Sequence, residues 1–529
     1  MPEPGRFGKR SFFEARAYGI TFGSRGLRAG TVVPAKGRSV TRRPSIYGED
    51  SGHRKVIADS AATPWYIAAM KLEKMNRRVF FRSASKLAAG TTLAPLICGS
   101  RLLGGEAANS KLNIACIGLG GQMHSLMREL TTFDQNVVAL CDVDENRIAA
   151  TRTTIGGTAA KAKAYHDFRE LLDREKSVEA VMIASPDHWH AILAKAALEA
   201  GKHVYCEKPL THTVGEARQI GALARQAKVA TQTGNQGSGS SNFRRSIELI
   251  QAGVLGPVPE IHIWHPPHGW PSGVDRPAGS DPVPAGFDWN RWIGPSPMRP
   301  YKAGIYHPAQ WRGWYDFGGG SLADFCCHAF SMPVRALDLD YPTRIGVASA
   351  TLAKDSFPKA CKVHFSFPAR GNRGPVSIHF YTGGDMPDRE VTAGLAETFE
   401  KVPSTGCLVV GEKGLLSAGL WNNECLVKLK GDKEFRHADS HDVAKAVPRV
   451  LPRAPRERHI LEWIEACKGG AKTFSPFEIG GHVTEIGAAG LIALRLGRDL
   501  EWDGPAMVAR GLPETAAWIK PQRRGEWGL

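Results

Sequence analysis

The chain has 529 residues, 68 Lys and Arg against 52 Asp and Glu, and a formal net charge of +16. That length exceeds what one hydrophobic core organises and predicts two domains with flanking segments, while an apolar share of 42% excludes wholesale disorder. The basic excess crowds into the first hundred and the last ten positions, so basic flanks on a folded protein account for the charge without a nucleic-acid partner.

Residues 1–74 are rich in Arg, Gly, Ser and Pro and lack periodicity, which predicts a disordered extension or a start codon placed too early, Met75 being the better start. Asn76-Arg77-Arg78-Val79-Phe80-Phe81-Arg82 follows, then an apolar stretch from Ala84 to Cys98 and small residues around Gly105-Glu106-Ala107-Ala108. Residues 75–108 therefore carry the pattern of a twin-arginine export signal and predict a periplasmic or otherwise exported protein. The alternative is an ordinary basic amphipathic helix on a cytoplasmic one. The apolar stretch is too short and too rich in Gly and Thr to span a membrane. Cys116, Cys141, Cys206 and Cys361 lie inside apolar runs with no paired spacing, so buried thiols are expected rather than disulfides.

Over residues 109–233, apolar runs at 114–117, 137–141, 179–184, 203–205 and 228–231 alternate with helical stretches, the signature of βαβ units on a parallel sheet. The first run opens into Gly118-Leu119-Gly120-Gly121-Gln122-Met123. Glycines there let the backbone approach a pyrophosphate, and the helix that follows offers N–H donors and a favourable dipole. Met123 stands where the third glycine of the fingerprint belongs, which predicts altered helix–strand packing. Asp142 ends the second strand, where a carboxylate accepts from ribose hydroxyls and favours NAD over NADP. Ser185-Pro186-Asp187-His188-Trp189-His190 follows the third of these runs and reads as a cofactor-contacting loop. Zinc bound by His188, His190 and Cys206 is the weaker reading, because Cys206 lies within a strand and no second cluster accompanies it; no metal is expected. Glu207-Lys208-Pro209 closes the next strand, at the sheet edge where ligands bind, and Pro209 stiffens the turn that aims Lys208.

From residue 234 to 505 the texture changes. A helix over 242–253 and a strand over 258–264 lead through a loop rich in Pro, Gly and Trp to another helix, then β-prone segments at 344–352, 362–367, 376–381 and 407–410. Helices at 457–468 and 481–496 follow, Gly497 closing the second. This predicts an α+β domain with an open, largely antiparallel sheet behind an N-terminal Rossmann dinucleotide-binding domain, and residues 506–529 read as a tail. In the middle helix, Asp324 and His328 stand four apart and share one face; Ser321 and Asp324 also fit a capping box. Six of the 13 tryptophans fall between Trp264 and Trp314. Beside them stand Tyr306, His307 and Arg312. Such a surface suits a sugar, with His307, Arg312 and Trp314 as candidate contacts, though packing is the plainer role for loop tryptophans.

As a set, Gly118-x-Gly120, Ser185-Pro186 with His190, Gly201-Lys202-His203-Val204 with Glu207-Lys208-Pro209-Leu210, Thr233-Gly234-Asn235-Gln236, Trp311-Arg312-Gly313-Trp314, the Asp324/His328 helix and Leu500-Glu501-Trp502-Asp503 resemble the Gfo/Idh/MocA family, the glucose–fructose oxidoreductase and inositol dehydrogenase relatives. The similarity extends to its exported branch and runs from about Met75 onward. The resemblance implies a C-terminal α/β domain whose open sheet makes homo-oligomer contacts. It also implies a cofactor site of Gly118, Gly120, Gly121, Gln122, Met123, Asp142, Ser185, Pro186, His190, Glu207 and Asn235 holding NAD or NADP. Lys208 matches the family's active-site lysine, often followed by a cis proline, and Asp324 and His328 match its Asp-x-x-x-His pair. His328 would take a proton from a substrate hydroxyl as hydride leaves for nicotinamide, Lys208 would hold the oxygen, and Asp324 would position lysine or substrate. Ser331 departs from the pattern, many relatives carrying Asp three after the histidine. The expected activity is NAD(P)-dependent oxidation or reduction at a secondary alcohol of a sugar, cyclitol or sugar derivative. An NAD-dependent glycosidase working by transient oxidation and elimination, and a sugar-binding protein without turnover, are the alternatives.

Overall fold

Alternation of short apolar strands with helices builds the first half of the molecule. The computed structural model describes residues 111–349 and 352–527; the expected extension over 1–74 and the twin-arginine-type segment over 75–108 lie outside the described residues. Strands β1 (Asn113–Ile117), β2 (Asn136–Cys141), β3 (Lys163–Tyr165), β4 (Ala180–Ile183), β5 (His203–Glu207) and β6 (Thr231–Gly234) alternate with helices α1 (Gly121–Thr132), α2 (Glu145–Ile155), α3 (Phe168–Arg174), α4 (Asp187–Glu199) and α5 (Val214–Gln226). The strands form one parallel sheet in the order β3-β2-β1-β4-β5-β6. Because the crossovers cover both faces, β1 and β4 read as continuous apolar runs. Two strands differ from expectation. β3 has three residues, two of them exposed, too few for a hydrophobic run. β6 is Thr-Gln-Thr-Gly, fully buried and polar, so apolar periodicity places the strand three residues too early.

The second half contributes α6 (Ser241–Gln251), β7 (Glu260–His265), α7 (Gly320–Ala329), α8 (Ser331–Ala336), β8 (Arg344–Ser349), β9 (Cys361–Phe367), β10 (Val376–Thr382), α9 (Arg389–Phe399), β11 (Gly406–Gly411), β12 (Gly414–Ser417), β13 (Leu426–Leu429), β14 (Arg436–His437), α10 (His459–Cys467), α11 (Phe477–Leu496), β15 (Leu500–Asp503) and β16 (Val508–Ala509). Its sheet runs β14-β13-β12-β11-β7-β10-β9-β8-β15-β16 and is antiparallel except where β7 and β10 pair in parallel. α7 and α11 cover one face, burying Leu322, Cys326, Ile486 and Ala489 against Phe365 and Phe380. Strict alternation in β9 and β10 leaves the other face partly exposed. α11 ends at Gly497, in the left-handed region at φ +66°.

Chain order and domain order part company near the C-terminus. Ile460, Trp463 and Ile464 of α10 are buried with Met123, Leu126 and Met127 of α1, and Phe477 at the start of α11 joins the core on the opposite face of the parallel sheet. The 234–505 boundary is corrected accordingly, since part of that stretch completes the first domain. The described part of the expected C-terminal tail, residues 506–527, packs on the folded body. The Trp527 ring lies edge-on to Trp189 at 5.0 Å, with the Arg169 guanidinium 4.5 Å from its ring, and Arg524 donates to the Gly294 and Asn290 carbonyls. The cysteines among the described residues are free thiols, all buried except half-buried Cys467, and none of the described helices is long and apolar enough to cross a membrane. Trp463→Ala should destabilise the protein by about 3–5 kcal/mol in chemical denaturation, because it opens a cavity beneath the parallel sheet.

Candidate active site

The site collects at the C-terminal ends of the parallel strands. After β1, Gly118 takes φ +80°, and a methyl group there would stand 2.5 Å from the Ser185 nitrogen; only glycine lets this turn touch the loop after β4. At Gly120 and Gly121 an added Cβ would meet nothing within 4 Å, so the backbone faces open space. α1 starts from Gly120 with no side-chain cap, whereas Asp144 caps α2 and a Thr213/Glu216 capping box closes the start of α5. The uncapped first-turn N–H groups fit a pyrophosphate. Asp142 accepts from the Leu119 N–H at 2.7 Å and the Asp144 N–H at 3.0 Å, and burial pushes its carboxyl up to about 6. It stands on a cleft bordered by the glycine turn, Ser185 and Pro186, and by Phe168, Trp189 and Trp527. The residues present fit a dinucleotide.

The cleft adjoins a second cavity that shares Gln122, Ser185, Trp311 and Arg312 with it and is walled by Lys208, Asp187 and Trp421. The Lys208–Pro209 peptide is cis. Lys208 Nζ lies 2.7 Å from Asp324 Oδ1 and donates to the Asp324 carbonyl at 3.1 Å; Arg312 Nε is 3.7 Å from the same carboxylate oxygen. Burial pushes the Asp324 carboxyl up, but Lys208 and Arg312 outweigh it and hold the group below its usual value. One turn further along α7, His328 is 1% exposed, and neither ring nitrogen has a protein partner among the described residues. Burial, reinforced by Lys208 and opposed by Asp324, keeps its imidazole neutral, well below the usual value. Its ring centroid is 4.0 Å from that of Trp421. Asp187 is buried beside this charge cluster, and burial together with Asp324 pushes its carboxyl up to about 8.

Glu207 is buried and acts as a brace. It accepts from Gln122 Nε2 at 2.9 Å and Gln236 Nε2 at 2.7 Å, tying α1 to the end of β5. His190 lines the second cavity, but its Nδ1 is 2.7 Å from the Pro209 carbonyl oxygen and its Nε2 is 2.9 Å from that of Ser185. A neutral ring donates to one of these, and burial pushes the group down to about 4. Asn235 donates to Ser331 Oγ at 2.9 Å, while its own Oδ1 is buried without a partner among the described residues; Ser331 thus faces Asn235.

Three expected roles are corrected. Met123 is 0% exposed in the core beneath β1 and β2, so it fills the helix–sheet contact and does not line the cleft. Trp314 is buried among Trp289, Trp292, Tyr306 and Phe317, its indole N–H donating to the Ile305 carbonyl at 2.8 Å, so it packs and does not face a substrate. His307 stacks on Phe287 and lies 3.2 Å from Asp144, lining the dinucleotide cleft near Asp142 instead of the cavity around Lys208. Arg312 borders both cavities. His188 lies within reach of the Trp292 and Phe317 carbonyls, which takes it from any zinc site. Trp421 and Trp527 escaped the sequence reading because isolated loop tryptophans carry no spacing signal. Asp187 enters the sequence reading only as part of the 185–190 loop, because its first-turn position resembles an ordinary helix start and gives no sign of the charge cluster beside it.

Residues 112–235 match the oxidoreductase family Gfo/Idh/MocA over its NAD-binding Rossmann fold, and residues 270–370 match the C-terminal alpha/beta domain of that family. The inositol 2-dehydrogenase of Salmonella paratyphi B is 33% identical over 156 residues, 29% of this chain and 45% of that protein. The myo-inositol 2-dehydrogenase of Thermotoga maritima is 30% identical over 186 residues, 35% of this chain and 49% of that protein. The chain thus spans about half the length of these curated relatives. Among solved structures, an inositol dehydrogenase homolog from Azotobacter vinelandii complexed with NADH and myo-inositol is 16% identical, with TM-score 0.51 over 74% of this chain and 98% of that one. The WlbA dehydrogenase from Bordetella pertussis, in complex with NADH and UDP-GlcNAcA, is likewise 16% identical with TM-score 0.51, over 74% of this chain and 99% of that one. The fold is common to all three.

The raised Asp187 carboxyl makes a stability prediction. Below its ordinary value of 3.8 it is protonated in both folded and unfolded chains; between there and about 8 only the unfolded chain ionises, so its contribution is lost as pH rises. Asp187→Asn should therefore melt roughly 5 °C above the unsubstituted protein at pH 8 and close to it at pH 4, in paired thermal scans.

Proposed function

Because this chain belongs to the Gfo/Idh/MocA oxidoreductases, we propose that it is an NAD(P)-dependent oxidoreductase, NAD being favoured, acting on a secondary alcohol of a sugar, cyclitol or sugar derivative. One observation carries the reading: the Lys208–Asp324 contact of 2.7 Å stands at the end of β5, beside the open glycine turn, with the unpartnered His328 one helical turn away. The bound dinucleotide supplies a hydride acceptor at its nicotinamide. Lys208 donates a hydrogen bond to the substrate oxygen and stabilises the negative charge that develops there. His328, neutral and without a competing partner, accepts the hydroxyl proton. Asp324 fixes the lysine side chain and favours the imidazolium that forms. Asp142 accepts from the ribose hydroxyls. Arg312 and Trp421 face the substrate, the first as a donor and the second as an apolar platform for a ring.

The curated inositol dehydrogenases support a polyol or sugar substrate. A second reading rests on Asp187, which lines the same cavity as Lys208 and whose carboxyl burial pushes up to about 8, so that it can donate to a leaving group, as a glycosidase working by transient oxidation and elimination requires. Retained NAD with no net redox change during turnover would select that reading, and net absorbance change at the reduced-nicotinamide band would select the dehydrogenase. Export through residues 75–108 and homo-oligomer contacts through the C-terminal sheet belong to the same proposal; cell fractionation and light scattering test them.

Lys208→Ala and His328→Ala are each expected to lower kcat by about 10²–10⁴-fold with an unchanged circular dichroism spectrum; near-normal turnover in either removes that residue from the mechanism. Trp421→Ala should raise KM about tenfold with a smaller change in kcat, in steady-state assays on the best sugar or cyclitol of a panel.

A further inference from the structure

On the partly exposed face of the ten-stranded sheet, three imidazoles stand in a row. His262 of β7 is the register partner of His379 of β10, and His379 is the register partner of His364 of β9. Side chains at paired positions project to the same face, so the row follows from backbone pairing alone. Glu260, two residues before His262 and therefore on the same face, brings Oε2 to 3.2 Å from His262 Nε2. Donor atoms of Glu260, His262 and His379 all lie within 4.8 Å of one another.

The remaining ring nitrogens are engaged by neighbours. His262 Nδ1 is 3.2 Å from the Tyr381 hydroxyl. His379 Nδ1 is 3.2 Å from His364 Nδ1, and His364 Nε2 is 2.8 Å from Ser366 Oγ. With both Nδ1 atoms occupied, Nε2 is left as the donor of His262 and of His379. An imidazole whose second nitrogen is held by an outer group is the arrangement of histidine metal ligands, in which that outer contact sets the ring's orientation and tautomer. The His262 and His379 rings are nearly parallel, 9° apart with centroids at 4.8 Å. Aiming both at one ion requires a turn about χ2, a broad torsion, and no strand movement. Two ligands about 2.1 Å from one zinc ion at the tetrahedral angle are about 3.4 Å apart, so the donors need to close by about 1.4 Å at most. None of these residues borders the dinucleotide cleft or the cavity around Lys208.

We propose that Glu260, His262 and His379 form a binding site for a divalent transition-metal ion of the zinc type, oriented by Tyr381 and His364 and bridging β7 and β10. Two imidazoles and one carboxylate select zinc, cobalt, nickel or copper over magnesium and calcium, which take oxygen donors. Three protein ligands leave a further position for water.

The test uses the full-length protein, stripped with chelator and dialysed, titrated calorimetrically with zinc sulfate and, separately, followed by visible absorption with cobalt(II). One zinc per chain is expected, with the intense visible bands of low-coordinate cobalt and a zinc-dependent rise in melting temperature. Glu260→Gln, at an exposed position, should fold normally and weaken binding about 100-fold, and His379→Gln should do the same or more; His364→Gln should weaken it about tenfold. Circular dichroism checks that each variant folds. No zinc uptake by the unsubstituted protein, or uptake with equal affinity in Glu260→Gln and His379→Gln, overturns the proposal. Magnesium binding equal to zinc at this site overturns it too.

Discussion

The Lys208–Asp324 ion pair joins two parts of the chain separated by more than a hundred residues, and the rest of the site is arranged around it. Lys208 sits where a parallel strand ends and Asp324 in a helix packed on the other sheet. Asp324 is buried and Lys208 half-buried, so each compensates the other's loss of water. Arg312 adds a second positive group to the same carboxylate. One turn along the same helix, His328 is buried against Trp421, which lines the cavity around Lys208, and its ring nitrogens have no partner among the described residues. An unpartnered buried imidazole is costly in a folded chain, a cost that the proposed substrate hydroxyl would offset.

The dinucleotide cleft depends on what is missing from the backbone. Gly118 permits the close approach to Ser185, while Gly120 and Gly121 leave the helix start bare. Asp142 then stiffens the turn by accepting from Leu119 and Asp144 while remaining on the cleft wall. Trp527, near the C-terminus, packs edge-on against Trp189, and both line the cleft. The same C-terminal region buries Trp463 under the parallel sheet, so the two domains are interleaved in sequence.

Aromatic residues divide into two populations by their hydrogen bonds. Trp289 and Trp314 direct their indole N–H groups at the backbone carbonyls of Arg299 and Ile305, inside a shared cluster. Their polar groups are consumed internally, which is why a loop that looks like a sugar platform in sequence is mostly a small core. Trp421 behaves differently: it is 41% exposed and covers the neutral imidazole of His328. A methyl group at Gly237 would overlap the Trp421 carbonyl, so the loop carrying it is held close to the Rossmann domain.

The amino-acid sequence alone determined whatever depends on local pattern: the alternation that makes the parallel sheet, the glycine turn, Asp142 at a strand end, the shared face of Asp324 and His328, and the stop at Gly497. Those features arise from steric and periodic rules that act over a few residues. Short β3, polar β6 and the edge strands carry too little hydrophobic signal to be read that way. Tertiary structure decided the rest. It turned Met123 inward, put His307 on the dinucleotide side and Trp314 in a core, brought Trp421 and Asp187 to Lys208, and lined up three histidines by strand register. Each of those outcomes is a contact between residues distant in the chain. Such contacts are set by which surfaces exclude water together, a quantity that no local window of sequence contains.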